Sequence, residues 1–227
     1  GKSTIAVALF RLVELSGGKV LVDGVDVSSI GLNDVRGRNM CIIPQDPLLF
    51  AGTLRRNMDP FNQHSEGEIL SALEAVQMLA TVQALPLGLD QSVEEAGSNW
   101  SLGEQQLLCF ARVLLRKPRV LVMDEATASV DHVTDERIQE TLRREFHDVT
   151  LITVAHRLNT VMDYDRIAVM GSGKVLEAGV PHELLENEDS ALSSLVAFYD
   201  KEANERFKTM SRESSTKKFT QMTSSRK

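Results

Sequence analysis

Apolar positions recur along the chain in two periods, and the alternation between them sketches the fold. Runs at Met40 to Pro44 and Val120 to Met123 are continuously apolar, and Val149 to Val154 is apolar apart from two threonines. Such runs are strands buried on both faces. Helical spacing fills the gaps. Ile5, Leu9, Leu12 and Val13 share one face of a helix from Ser3 to about Leu15, stopped by Ser16-Gly17-Gly18. Two capping boxes, Ser65-x-x-Glu68 and Ser101-x-x-Glu104, open helices running to about Leu79 and Arg116. Pro118 ends the second. A charged helix is expected from about Val133 to Phe146, and others near Pro181 to Asn187 and Ser190 to Phe207. Thr53 to Met58 reads as a turn or short helix. Asp23-Gly24 and Gly171-Ser172-Gly173 mark two hairpins, over Lys19 to Val27 and Arg166 to Glu177. Strands alternating with helices predict an α/β fold with a mostly parallel sheet.

Composition narrows this little. With 227 residues, 42% hydrophobic and 25% charged, the chain is ordinary globular material and can bury a core without staples. No apolar run approaches the length of a membrane span; the most apolar stretch, Leu107 to Leu115, is interrupted by Arg112. Cys41 and Cys109 read as core thiols. The net charge of −7 is uneven: residues 201–227 hold eight basic and three acidic side chains. That Ser/Thr-rich tail is expected to be solvated, and the acidic body argues against nucleic acid as a partner.

Candidate chemistry sits at element ends. Gly1-Lys2-Ser3-Thr4 matches the last four positions of a phosphate-binding loop, G-x-x-x-x-G-K-[ST]. There the ammonium reaches phosphates, the Ser hydroxyl ligates Mg²⁺, and the helix start presents free N–H groups. A capped helix start explains those four residues equally well on their own. Val120 to Met123 runs into Asp124-Glu125, two carboxylates at the carboxyl edge of a parallel sheet. Asp124 suits a Mg²⁺ ligand, and Glu125 a general base for an attacking water. Gln45 and His156 each follow a strand, and either alone is unremarkable. Ser101 and Gly103 open a helix that is either a second anion site or an ordinary capped start.

Order and spacing decide between these readings. Gly1 to Thr4, Gln45, Ser101, Asp124-Glu125, Asp131 and His156 follow one another in a series that resembles the nucleotide-binding domain of ABC transporters. Gln45 to Phe61, containing Met58-Asp59-Pro60-Phe61, and Asp124 to Asp131 resemble the second domain of sub-family C, the multidrug-resistance-associated type. The resemblance implies a P-loop NTPase fold: residues 1–200 the ATP-binding domain, with a small helical subdomain at about 62–117, and 201–227 a tail. It implies ATP and Mg²⁺ as cofactors and ATP hydrolysis that powers export across a membrane. Glu125, His156 and Gln45 are then catalytic. Gly1, Lys2, Ser3, Thr4, Ser101, Gly103 and Asp131 contact nucleotide, and Ser3, Gln45 and Asp124 hold the metal. The implied partners are a second nucleotide-binding domain and transmembrane domains, with this domain on the cytoplasmic face. Trp100-Ser101-Leu102-Gly103-Glu104 departs from the usual Leu-Ser-Gly-Gly-Gln signature. Alternatives are a regulatory or channel-gating domain, or a soluble ABC ATPase. Ser101 follows Gln45 by 56 positions, which leaves no room for the coiled coil of chromosome-organising members. A start at Gly1 suggests amino-terminal truncation, and the chain alone is expected to be inactive.

Overall fold

The computed structural model describes residues 2–124, 126, 130–155, 161–199, 209, 211 and 212. It divides into two units, residues 6–154 and residues 1–5 with 155–227.

The larger unit is organised by one parallel sheet. Strands β3 (Met40–Ile43), β6 (Val120–Asp124) and β7 (Thr150–Val154) lie in the order β3-β6-β7. Ile43 pairs with Met123, and Asp124 with Val154. Side chains alternate across a strand, so a central strand feeds two cores. Leu121 and Met123, with Cys41 and Ile43, face the larger core. Val120 and Val122, with Met40, face a smaller one completed by Ala6, Phe10, Val27 and Val35. Burial on both faces explains the unbroken apolar run of β6; on β3 Ile42 is 40% exposed, and on β7 only Val154 is buried, so the two flanking strands depart from the expected two-sided burial.

Helix α5 (Leu102–Arg116) runs through the larger core and buries Leu107, Leu108, Phe110 and Ala111. Both ends are written in the sequence. Ser101 and Glu104 form the capping box, and Lys117 closes the helix in the left-handed region ahead of Pro118. The shorter helices α2 (Leu54–Met58), α3 (Glu66–Ala75) and α4 (Leu79–Gln83) add Leu54, Met58, Ile69, Leu73 and Val82 to the same core. Helix α6 (His132–Glu145) contributes Ile138 and Leu142. The hairpin of β1 (Leu21–Val22) and β2 (Val25–Asp26) turns at Asp23 and Gly24, both with positive φ. A second small pair, β4 (Gly52–Thr53) with β5 (Ser92–Val93), is too short to carry a periodicity.

Two helices differ from expectation. Helix α1 (Lys2–Leu9) stops six residues before the expected Leu15. Arg11 takes a positive φ and spends its guanidinium on the carbonyls of Val27 and Ile30. Leu12 and Val13, expected on the buried face, are 61% and 50% exposed. The helix from Ser65 ends at Ala75, because Gln77 turns through positive φ (59°) before α4 begins.

In the smaller unit, β8 (Ile167–Gly171) and β9 (Lys174–Gly179) form the second hairpin, turning at Ser172-Gly173. Helices α7 (Pro181–Glu186) and α8 (Ala191–Tyr199) close a core of Met162, Val169, Leu185, Leu192 and Val196. Of the tail expected to be solvated, only residues 209, 211 and 212 are among the described residues, and Ser211 and Arg212 make contacts. Ser211 is 2% exposed, and Arg212 Nη2 lies 3.0 Å from Glu186 Oε1. Among the described residues no helix is long and apolar enough to cross a membrane.

Phe110 is fully buried at the centre of the larger core. Phe110→Ala should cost about 3–5 kcal/mol in denaturant unfolding. A loss under about 1 kcal/mol would mean that α5 can collapse onto the cavity, contrary to the dense packing described.

Candidate functional site

Parallel strands bring their carboxyl ends to one edge, which is where α/β folds hold ligands. At that edge Asp124 closes β6, half-buried, opposite Val154. By alternation it continues the face of Val120 and Val122, the face on which Ala6 and Phe10 pack. Gln45 stands two residues beyond Ile43 on the neighbouring strand, with its side chain exposed. Lys2 is the first residue of α1 and half-buried; Ser3 and Thr4 follow it, exposed, in the first turn. Helical N–H groups there lack intrahelical acceptors and carry the positive end of the dipole. Gly1, Glu125 and His156 lie outside the described residues.

A second group forms where α5 and α6 begin. Ser101 caps α5, and Asp131 caps α6 by accepting from Thr134 N at 3.0 Å and Thr134 Oγ1 at 2.7 Å. Those bonds to Thr134 hold the Asp131 carboxyl below the ordinary aspartate pKa. Gly103 joins the two helix starts: a Cβ there would meet Thr134 Oγ1 at 3.0 Å. Both carboxylate oxygens of Asp131 and the Ser101 hydroxyl therefore already have partners within the chain.

The donors at the strand edge suit a hard cation. Gln45 and Asp124 offer an amide and a carboxylate oxygen, the ligand type that Mg²⁺ takes together with phosphate oxygens and water. Among the described residues no cluster of three His, Cys, Asp or Glu side chains forms a soft or all-protein metal cage.

Two residues to which the sequence assigned no functional role organise the loop after Gln45. Asn57, 1% exposed, accepts from Phe50 N at 2.9 Å and donates to the carbonyls of Phe50 and Thr53. Arg112, on α5, donates to Asn57 O at 2.6 Å, to Asn57 Oδ1 at 2.7 Å and to Leu48 O. Its guanidinium also lies 5.1 Å from the Phe50 ring centroid. Among the described residues no carboxylate pairs with it, and burial lowers its pKa. The signal was the one cation inside the Leu107 to Leu115 run.

Thr134→Val removes one of the two bonds to Asp131. The Asp131 carboxyl should then titrate closer to the ordinary value, as read by NMR. A lowered folded-state pKa stabilises above the unfolded value and is lost as pH falls through the folded one. The variant should therefore show a shallower loss of stability on acidification. An unmoved Asp131 titration would remove Thr134 as its cause.

Comparison with known proteins agrees with this geometry. Residues 1–128 match the family model described as "ABC transporter". The chain is 54% identical over 187 residues to mouse "ATP-binding cassette sub-family C member 2", covering 82% of this chain and 12% of that protein. It is 52% identical over 197 residues to "Multidrug resistance protein mrp-7" of Caenorhabditis elegans, covering 87% and 13%. The chain thus spans only about an eighth of the length of these relatives. A solved structure titled "Structure of a bacterial Atm1-family ABC exporter with ATP bound" superposes with a TM-score of 0.81 at 34% identity, covering 88% of this chain and 35% of that one. The parallel sheet with its edge carboxylate, the capped second helix start and these similarities agree: the chain belongs to the ABC transporter family, among the sub-family C proteins.

Proposed function

We propose that this chain is the second, carboxyl-terminal nucleotide-binding domain of a multidrug-resistance-associated exporter, hydrolysing ATP with Mg²⁺ to drive transport. The observation that carries the reading is Asp124, at the carboxyl end of a central parallel strand and one strand away from Gln45. Relatives titled as sub-family C members and multidrug resistance proteins favour a transporter over a regulatory domain or a soluble ATPase.

Each residue has a role that its chemistry allows. Lys2 offers a point charge to phosphate oxygens, and the N–H groups of α1 offer hydrogen bonds. Ser3, Gln45 and Asp124 are oxygen ligands for Mg²⁺, which supplies charge neutralisation at the phosphates when bound. Glu125 accepts the proton of the attacking water, and His156 holds the terminal phosphate by a polar contact. Ser101 and Gly103 present the start of α5 to the nucleotide bound by a partner domain. Asp131 keeps that surface in place through its cap on α6. The site is completed only by the partner's signature, so a single copy is not sufficient for turnover. The domain then sits on the cytoplasmic face, with transmembrane domains as its other partner.

Glu125→Gln in the full-length transporter keeps the volume and removes the base. Turnover should fall about 10²–10⁴-fold while ATP binding persists. Steady-state hydrolysis within a few-fold of wild type would exclude Glu125 as the base.

A further inference from the structure

Glu104 stands where the usual signature has Gln, and its carboxylate takes both donors of Ser101. Ser101 N donates to Glu104 Oε2 at 2.9 Å, and Ser101 Oγ donates to the same oxygen at 2.7 Å. The hydroxyl oxygen in turn accepts from Glu104 N at 3.3 Å. A serine hydroxyl has one proton to give. While Glu104 holds it, no phosphate oxygen can. A carboxylate is also a stronger acceptor than the carboxamide it replaces, because its hydrogen bonds are charge-assisted. In addition, a negative charge already occupies the positive end of α5, where an incoming anion has to approach.

We propose that Glu104 is an internal competitor for the phosphate that Ser101 would take, raising the ATP concentration needed to close the site. This rests on the reading of Ser101 as a nucleotide contact. Ser101 is exposed and Glu104 only half-buried, so the carboxylate can swing away without disturbing the core. Gly103 and the Asp131 cap keep the helix start in place while it does so.

The contest has a direction that a purely structural cap lacks. If the capping box served only to start α5, removing the charge would leave ATP half-saturation unmoved or raise it, and would lower stability. Competition requires the opposite. In the full-length transporter, Glu104→Gln should lower KM for Mg-ATP by about three- to tenfold, as expected for exchanging a charged for a neutral acceptor. The thermal unfolding midpoint should move little. The difference from wild type should narrow in high salt, which screens the charge.

Ser101→Ala separates the two levels of the reading. If Ser101→Ala impairs turnover but Glu104→Gln leaves KM unchanged or raised, competition is wrong and the signature reading stands. If Ser101→Ala leaves turnover and KM as in wild type, Ser101 is no nucleotide contact and both fall. Glu104→Asp, which keeps the charge but withdraws it, covers the case of an unstable Gln variant. It should give an intermediate KM, and a wild-type or higher value would overturn the proposal.

Discussion

Burial of β6 on both faces is the constraint on which the rest of the larger unit depends. Val120 and Val122 commit one face to α1 and the β1–β2 hairpin, and Leu121 and Met123 commit the other to α5. A strand so enclosed has no freedom of register, because a slip of one residue exchanges every side chain between two cores of different shape. The position of Asp124 follows. It is the first polar residue after four buried ones, and it falls where the ladder reaches the sheet edge. An acid placed this way has apolar packing directly behind it on the strand.

The second organising feature is the use of helix starts. Helices α5 and α6 begin side by side, one capped by Ser101 and the other by Asp131, and they meet at Gly103 and Thr134. A side chain at residue 103 would crowd Thr134, with a Cβ at 3.0 Å from its Oγ1, so glycine suits this approach. Both starts concentrate free N–H groups and positive dipole ends. Both also carry acids that answer them internally, so their chemistry toward any external anion is one of displacement.

Much of this was legible in sequence because the signals were local. Largely apolar runs gave the three parallel strands, and the serine–glutamate pairs gave the starts of α3 and α5 to the residue. Asp23-Gly24 gave its hairpin for the same reason: the turn needs two positive φ values. What escaped depended on distant partners. The early end of α1 is decided by Arg11 reaching carbonyls 16 and 19 residues away. The β4–β5 pair has two residues per strand and so no period to read. At the site, residue types and order pointed to Gln45, Ser101 and Asp124. The engagement of the Ser101 hydroxyl and the Asp131 carboxylate within the chain is set by side-chain geometry at the two helix starts, which residue order does not specify.

Arg112 was visible only as an interruption, yet it ties the loop after Gln45 to α5 with no carboxylate paired to it among the described residues. Its partners are two backbone carbonyls, one side-chain amide, a ring face and, at 4.0 Å, the Cys109 sulfur. Carbonyl oxygens do not titrate over the physiological range, and they are the same whichever side chain their residue bears. A joint made chiefly of such groups is indifferent to acidity and to the identity of residue 48. The loop can therefore accept new side chains at that position, and hence new surfaces, while its path across α5 is preserved.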